Sequence, residues 1–467
     1  MPFAAPRQRT ASSELLASDP NRRLAIIGGG MGGLSTAYFC DPEWTIDLFE
    51  SRSELGGNAD TVIIQEDGQD LSVDVGADSF NPGTHPMYWA LLQEIDAIRS
   101  PKSADDLLIE VPATLSIFDA RTRRPLFAST HPLHSLNYAI NFAMFARAAL
   151  RFLSRNPSCD VTAGEWFDRR WLDRSFKQNA LLPWLASLTC YSVETFKTQS
   201  MLSFLLLFAR TFPESIFRSP KSYNSSIGLG GILKMLAARC QNLSIHTNAA
   251  VSKLEEVNGL WFIETPSERH GPYENVVVNA PPYASLKFMS ALPSELLDLL
   301  GKHEYYSARI VIHRDPIYMP ADQNYWCSHN AAVDGDSCEA SVWLGSARKN
   351  AKTGKSIQLF KSWASKRERQ PKDILAERTF LHPLLRPDTV RVTKELRNWQ
   401  GFKGLFFTGH YMTLTDLQET ALYSGMAVAK VLNPASQRLQ SLQQRLAKAG
   451  HADVSYEVDN FHQSAKV

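Results

Sequence analysis

No stretch of this 467-residue chain reaches the roughly 18 consecutive apolar residues that a membrane-spanning helix needs. Nor is there a metal or disulfide pattern. The six cysteines, Cys40, Cys159, Cys190, Cys240, Cys327 and Cys338, form no CxxC and fall at no ligand spacing, so reduced thiols, a cytoplasmic location and no metal are expected. Charge of one sign is also missing. The formal net charge is +1, which leaves no electrostatic footprint for a nucleic acid or another polyanion. The first 23 residues lack a hydrophobic core segment, so they do not read as a secretory signal. They are arginine- and serine-rich like a transit peptide, but Glu14 and Asp19 argue against that. A disordered lead-in over 1–21 is expected. The length calls for two domains or more.

What is present is concentrated between Leu24 and Gly57. Leu24 to Ile27 is a short apolar run, consistent with a buried parallel strand. Gly28, Gly30 and Gly33 then form GxGxxG, with Met31 opening a helix-compatible run that continues through Leu34 to Phe39. Thr45 to Phe49 reads as a second strand and ends on Glu50. In this arrangement Gly28 allows the tight turn, Gly30 lets a pyrophosphate approach the backbone, and Gly33 lets the helix pack on the sheet. The helix N-terminus offers free N–H groups to phosphates. Glu50 lies about 20 positions on, where a carboxylate accepts hydrogen bonds from ribose hydroxyls. A glycine-rich structural turn would leave Glu50 unexplained.

Beyond Glu50 come Ser51, Arg52 and then Leu55-Gly56-Gly57-Asn58-Ala59. This resembles the second signature of the FAD-dependent amine oxidase and phytoene desaturase superfamily, in which a Gly-Gly pair lines the pyrophosphate and flavin. Family members carry basic residues on both sides of Leu-Gly-Gly. Here Glu54 and Asn58 stand at those places, and Arg52 is the nearby cation. Asp74-Val75-Gly76 resembles the D-x-G that follows, after a hairpin signalled by alternation around Asp67-Gly68.

The resemblance continues along the chain. Ile227 to Ala237 (IGLGGILKMLA) resembles the segment that returns to the FAD domain. Ser244 to Val251 resembles the family's edge strand, which makes Val251 the candidate adenine clamp. Asn275 to Pro282 (NVVVNAPP) resembles the strand that closes the nucleotide-binding half. His313-Arg314-Asp315-Pro316 followed by Met319-Pro320 is similar to a bacterial subgroup of amine-oxidase-like proteins. Gly404 to Gly409 (GLFFTG) and the helix expected from Leu417 to Leu432 resemble the C-terminal signature. There Gly409 approaches the cofactor, and N–H groups near Leu417 and Gln418 stabilise negative charge on a reduced flavin. Asp416 is the expected N-cap, and Glu419 matches an acidic residue of that helix.

These anchors imply an α/β fold: a Rossmann-type FAD-binding domain with an inserted substrate domain of mixed sheet and helices. The FAD domain is expected from 22–83, 225–285 and 388–432, and the substrate domain from 84–224 and 286–387. Residues 433–467 are read as a peripheral helix and tail. Helices are expected at Pro86–Arg99, Leu133–Leu153, Trp166–Leu188 and Ser200–Phe212, and strands at Gly259–Glu264, Ser307–Ile312, Asn324–Ser328 and Ala340–Leu344. For most aromatic residues of the inserted helices, core packing is the plain explanation. A layer this apolar also suits a lipophilic pocket or contact with a membrane surface.

The chemistry implied is removal of hydride from a substrate C–H by non-covalent FAD, since no cysteine follows Cys338 for covalent attachment. No second nucleotide fingerprint for NADPH is present, which favours an oxidase, desaturase or isomerase. Arg309 stands nearest to the lysine that amine oxidases hold near the flavin, Tyr411 matches their aromatic pair, and His410 and His313 are acid–base candidates. The apolar helices and the lack of a clear lysine favour a desaturase, dehydrogenase or double-bond isomerase of a lipophilic substrate. An amine or amino-acid oxidase remains open, as does a non-catalytic escort protein of the same architecture.

Overall fold

The computed structural model describes residues 22–98, 107–155, 157–207, 221–456 and 461–462. β1 (Arg23–Ile27) passes through the glycine turn into α1 (Met31–Cys40), and β2 (Thr45–Phe49) returns parallel to β1. β3 (Thr61–Glu66) and β4 (Gln69–Asp74) form the expected hairpin, whose turn residues Asp67 and Gly68 have φ of 49° and 85°. Two left-handed residues match the right-handed twist of the flanking strands. α2 (Pro86–Glu94), β5 (Leu108–Pro112), β6 (Leu115–Asp119), β7 (Pro125–Ala128) and α3 (Leu136–Leu153) follow.

The stretch from Trp166 to Leu188 is mostly helical, as expected: after a break at 169–173, helical turns run without a gap from Arg174 to Ser187. The main pieces hereabouts are α4 (Ala163–Asp168), α5 (Leu182–Ser187), α6 (Val193–Lys197) and α7 (Met201–Leu205). Capping side chains start each new helix: Asp173 accepts the Phe176 N–H after the break at 169–173, and Ser192 and Ser200 accept those of Thr195 and Ser203 at the starts of α6 and α7. Of the helix expected to Phe212, residues 208–212 lie outside the described residues.

β8 (Lys221–Ser225), α8 (Gly228–Ala238), β9 (Leu243–His246), β10 (Lys253–Val257), β11 (Leu260–Glu264), β12 (Arg269–Tyr273) and β13 (Asn275–Val278) come next. Then come α9 (Ser294–Gly301), β14 (Tyr305–His313), β15 (His329–Asp334), β16 (Ser337–Trp343), β17 (Phe360–Trp363) and β18 (Ile374–Pro383). Asn324–Ser328 is not a strand, because Asp322 caps a short 3-10 turn over Gln323–Tyr325. The chain ends with α10 (Pro387–Leu396), β19 (Leu405–Phe407), α11 (Gln418–Leu432) and α12 (Gln437–Lys448) before a short C-terminal stretch.

Two sheets organise these elements. One is five-stranded and parallel, in the order β19-β13-β1-β2-β9. The other is seven-stranded and mixed, in the order β18-β14-β17-β16-β15-β6-β7. The parallel sheet is buried on both faces. Leu24 and Ile26 of β1 point to the helices, while Ala25 and Ile27 point to the layer of β10–β12 and α9. β6 pairs with β15, so the two insertions expected at 84–224 and 286–387 share one sheet.

Three segments depart from the expected boundaries. α2 packs in the core with α1, α8 and α11, and α9 packs against β10–β13, so both belong with the nucleotide half. α12 is not peripheral, since it buries Leu439, Leu442 and Leu446 in the same core as α1. For α2 and α12 one apolar helix face found its partner across a long sequence gap, whereas α9 folds back on the strands just before it.

Candidate functional site

A cavity of about 620 Å³ runs from the glycine loop after β1 to the face of the mixed sheet. At the nucleotide end it is built from backbone. Gly28 has φ of 109°, and a Cβ there would lie 3.0 Å from the Ala280 nitrogen. A Cβ on Gly33 would lie 2.3 Å from the Gly28 oxygen, so only glycine lets α1 sit on the strand. A Cβ on Gly57 would come within 3.4 Å of the Gly30 Cα, so the two glycine loops face each other with no side chain between. Gly30, Met31, Gly56, Gly57 and Asn58 all line the cavity.

Glu50 sits at the end of β2, 6% exposed. Its Oε2 accepts the Gly29 N–H at 2.8 Å, and its Oε1 accepts the Arg52 N–H at 2.9 Å and the Ser51 hydroxyl at 3.1 Å. The carboxylate is thus fixed beside the glycine loop, and Ser51 is the one partner free to rotate away for a ligand hydroxyl. Arg52 does not line the cavity. Its guanidinium donates to the Gly57 carbonyl at 2.6 Å and to Asp60 at 3.3 Å, bracing the Gly-Gly turn from outside. Val251 is half-buried against the core under β1 and lies outside the cavity lining, beside a segment whose Ala249 N–H donates to the Glu50 carbonyl at 2.9 Å.

The C-terminal signature closes this end. Gly409, Leu417 and Gln418 line the cavity at the start of α11, and the Gln418 Oε1 is buried with no hydrogen-bond partner among the described residues. The N-cap is Leu417, not Asp416. Glu419 does not merely complement its own helix. Its two oxygens accept the Met87 and Tyr88 N–H groups at 2.9 and 2.8 Å, capping α2.

Three of the four expected catalytic residues lie elsewhere, and strand parity explains two of them. Ile310 of β14 lines the cavity, so Arg309 and His313 point to the other face. Arg309 is held there by Glu377, with bonds of 2.8 and 2.7 Å. His313 is wholly buried and bonds Ser362 at 2.8 Å, and burial pushes its pKa down to about 4. Tyr411 is under the parallel sheet, its hydroxyl donating to the Val278 carbonyl at 2.9 Å. His410 alone of the four lines the cavity, with Nε2 3.1 Å from the Tyr305 hydroxyl. Asp416 stands 4.0 Å from His410 and 4.0 Å from His382, and both other groups line the same wall. Burial lowers the pKa of each histidine, and Asp416 opposes that.

The residue that the sequence reading missed is Lys361. It lies on β17, opposite Ile312 of β14, and its side chain is 1% exposed. Its ammonium pairs with Asp78 at 2.9 Å and also donates to the Gly76 carbonyl. Beside it, the His329 Nε2 has no partner among the described residues, and burial pushes its pKa down to about 4. Trp363, two residues along β17, completes this face. A lone lysine in the buried alternation Phe360-Lys361-Ser362-Trp363 is the signal that would have found it.

Residues 26–95 match the NAD(P)-binding Rossmann-like domain family. Over the whole chain, a protein from Exiguobacterium sp. 255-15 assigned as a protoporphyrinogen oxidase is similar in structure. Its TM-score is 0.63 at 14% identity, over 88% of this chain and 98% of that one. A CLA-producing fatty acid isomerase from P. acnes has a TM-score of 0.61 at 12% identity, over 89% and 99% of the two chains. The chain shares the overall fold of these two proteins, with a Rossmann-like domain at its N-terminal side. No curated protein sequence gives a significant match. The glycine-lined end of the cavity lies within the matched residues 26–95, and the mixed sheet with Lys361 forms the opposite wall.

Proposed function

We propose that this protein is an FAD-dependent oxidoreductase acting on a lipophilic substrate as a desaturase, dehydrogenase or double-bond isomerase. The observation that carries this is one continuous cavity. It joins a side-chain-free glycine cradle to a chamber walled by Leu115, Trp184, Leu188 and Leu207. FAD suits the cradle: Gly30 and Gly57 approach closely, α1 aims unpaired N–H groups at it, and Gln418 has a buried oxygen in need of a donor. Gly30, Met31, Glu50, Gly56, Gly57, Asn58, Leu417 and Gln418 would hold it. Bound there, FAD supplies a hydride acceptor.

The chain's own residues do the rest. The apolar walls exclude water and align the substrate. The start of α11 presents N–H groups that stabilise negative charge at its end of the cavity. His410 and His382, on either side of Asp416, are placed to hold or move a proton at their ring nitrogens. Lys361 and Asp78 set an ion pair at the far wall.

That lysine also favours a second reading, an amine or amino-acid oxidase, because the argument against it was the lack of a lysine in the cavity. Anaerobic mixing separates the two. Lipid substrates should bleach the flavin and amines should not. Bleaching by amines alone would reverse the assignment, and a purified protein without a flavin spectrum would point to a binding protein.

A further inference from the structure

α3 has two dissimilar sides. Its inner side buries Phe145 and Ala149, and the Phe142 ring lies 5.4 Å from Trp184, a wall of the cavity. Its outer side carries Leu136, Ile140 and Met144, exposed by 55%, 52% and 39%, with Leu133 just ahead at 84%. Spacings of three and four residues put these in one stripe. The stripe runs on into exposed Arg147 and Arg151, which among the described residues hold no ion pair. The loop after α4 adds Trp171, 90% exposed. Asn141 fastens that loop to α3 by accepting the Asp173 N–H at 2.9 Å.

The local charge is one-sided although the whole chain is nearly neutral. Between Ala120 and Cys159 there are arginines at 121, 123, 124, 147, 151 and 155, and no Asp or Glu. Among the described residues no helix is long and apolar enough to cross a membrane. An apolar stripe flanked by arginines, with an exposed tryptophan beside it, matches a helix lying in a lipid interface.

We propose that the outer face of α3, with Leu133 and Trp171, docks this protein on an anionic lipid surface, and that the cavity beneath fills from that surface. The first clause stands on the exposed stripe and the charge. The second rests on the lipophilic-substrate reading. Arg121 pairs with Asp334 and Arg123 holds backbone carbonyls, but a protein-protein face would not call for the exposed Arg147 and Arg151 beside the stripe, which complement anionic headgroups.

Sedimentation with vesicles of phosphatidylcholine and phosphatidylglycerol in equal parts tests it. The full chain should bind these at low salt, bind pure phosphatidylcholine several-fold less, and lose binding as salt rises. Ile140→Glu should weaken binding about tenfold, from the lost burial of one large aliphatic side chain. Arg147→Gln with Arg151→Gln should also weaken it about tenfold or more. Ile63→Glu, at an equally exposed apolar residue on β3, should change nothing. No binding of the wild type to anionic vesicles would overturn the proposal, as would an Ile140→Glu variant that binds normally. A lipid-free dimer in light scattering that Ile140→Glu dissolves would also overturn it, assigning the stripe to a second copy. Flavin content and thermal unfolding of each variant show that it is folded. Docking without flavin bleaching by lipids would leave the first clause standing and remove the second.

Discussion

The two ends of the cavity are made differently. The nucleotide end is backbone: two glycine loops from one stretch between Gly28 and Gly57, fixed by Glu50. The substrate end is side chains from distant places: Asp78, His329, Lys361, His382 and Asp416. A backbone-built site depends on steric room, whereas a side-chain-built site depends on register. The first fails by collision and the second by loss of a charge partner or of neutrality.

Acid should have the largest effect, and of the four histidines concerned only His329 lines the cavity. His85, His303, His313 and His329 each have a pKa depressed to about 4, with burial the leading cause. A depressed folded-state value means that stability present above about pH 6.5 is lost as pH falls toward 4, up to about 3 kcal/mol for each group. Melting temperature should therefore drop steeply across that window. His329→Gln should flatten the slope, and an unchanged profile would remove His329 from the account.

Lys361→Met should cost about 3 kcal/mol, because it strands the mostly buried Asp78. Urea unfolding measures this, and flavin content should survive, since the lysine lies at the other end. Adding Asp78→Asn should recover part of the loss. If Lys361→Met lost flavin at once, the two ends would not be separable.

Gly33→Ala should cost about 2 kcal/mol and empty the cradle, because its Cβ meets the Gly28 oxygen at 2.3 Å. Retained flavin with normal stability would contradict the backbone-built reading. Glu50→Gln should lower FAD affinity about tenfold with the fold intact, read by gel filtration at limiting FAD. Unchanged occupancy would sink the ribose assignment.

The smallest effect sharpens the correction to the catalytic set. Tyr411→Phe removes one buried bond to the Val278 carbonyl and should cost about 1 kcal/mol, with no change in flavin reduction by a substrate. Slower reduction at unchanged stability would return Tyr411 to the site.

The contrast also explains what could be read in advance. The tight turn at Gly28, the packing of α1 at Gly33 and the facing of Gly57 and Gly30 were legible because each depends on local spacing or on the absence of a Cβ. Arg309 and His313 lay on the correct strand and the wrong face, because a strand alternates its side chains and one position reverses the outcome. Lys361 was hidden because β17 takes its place from pairing with β14 and β16, which no local motif encodes.

The sequence by itself determined the parallel nucleotide-binding sheet, its glycine turns, the hairpin at Asp67-Gly68 and the α/β class, since short-range sterics and periodicity dictate these. Tertiary structure alone decided that α2 and α12 join the nucleotide core, that Glu419 caps α2, and that Lys361 and His329 face the cavity. Those outcomes depend on which surfaces meet across hundreds of residues, and burial and strand register settle them only once the chain has packed.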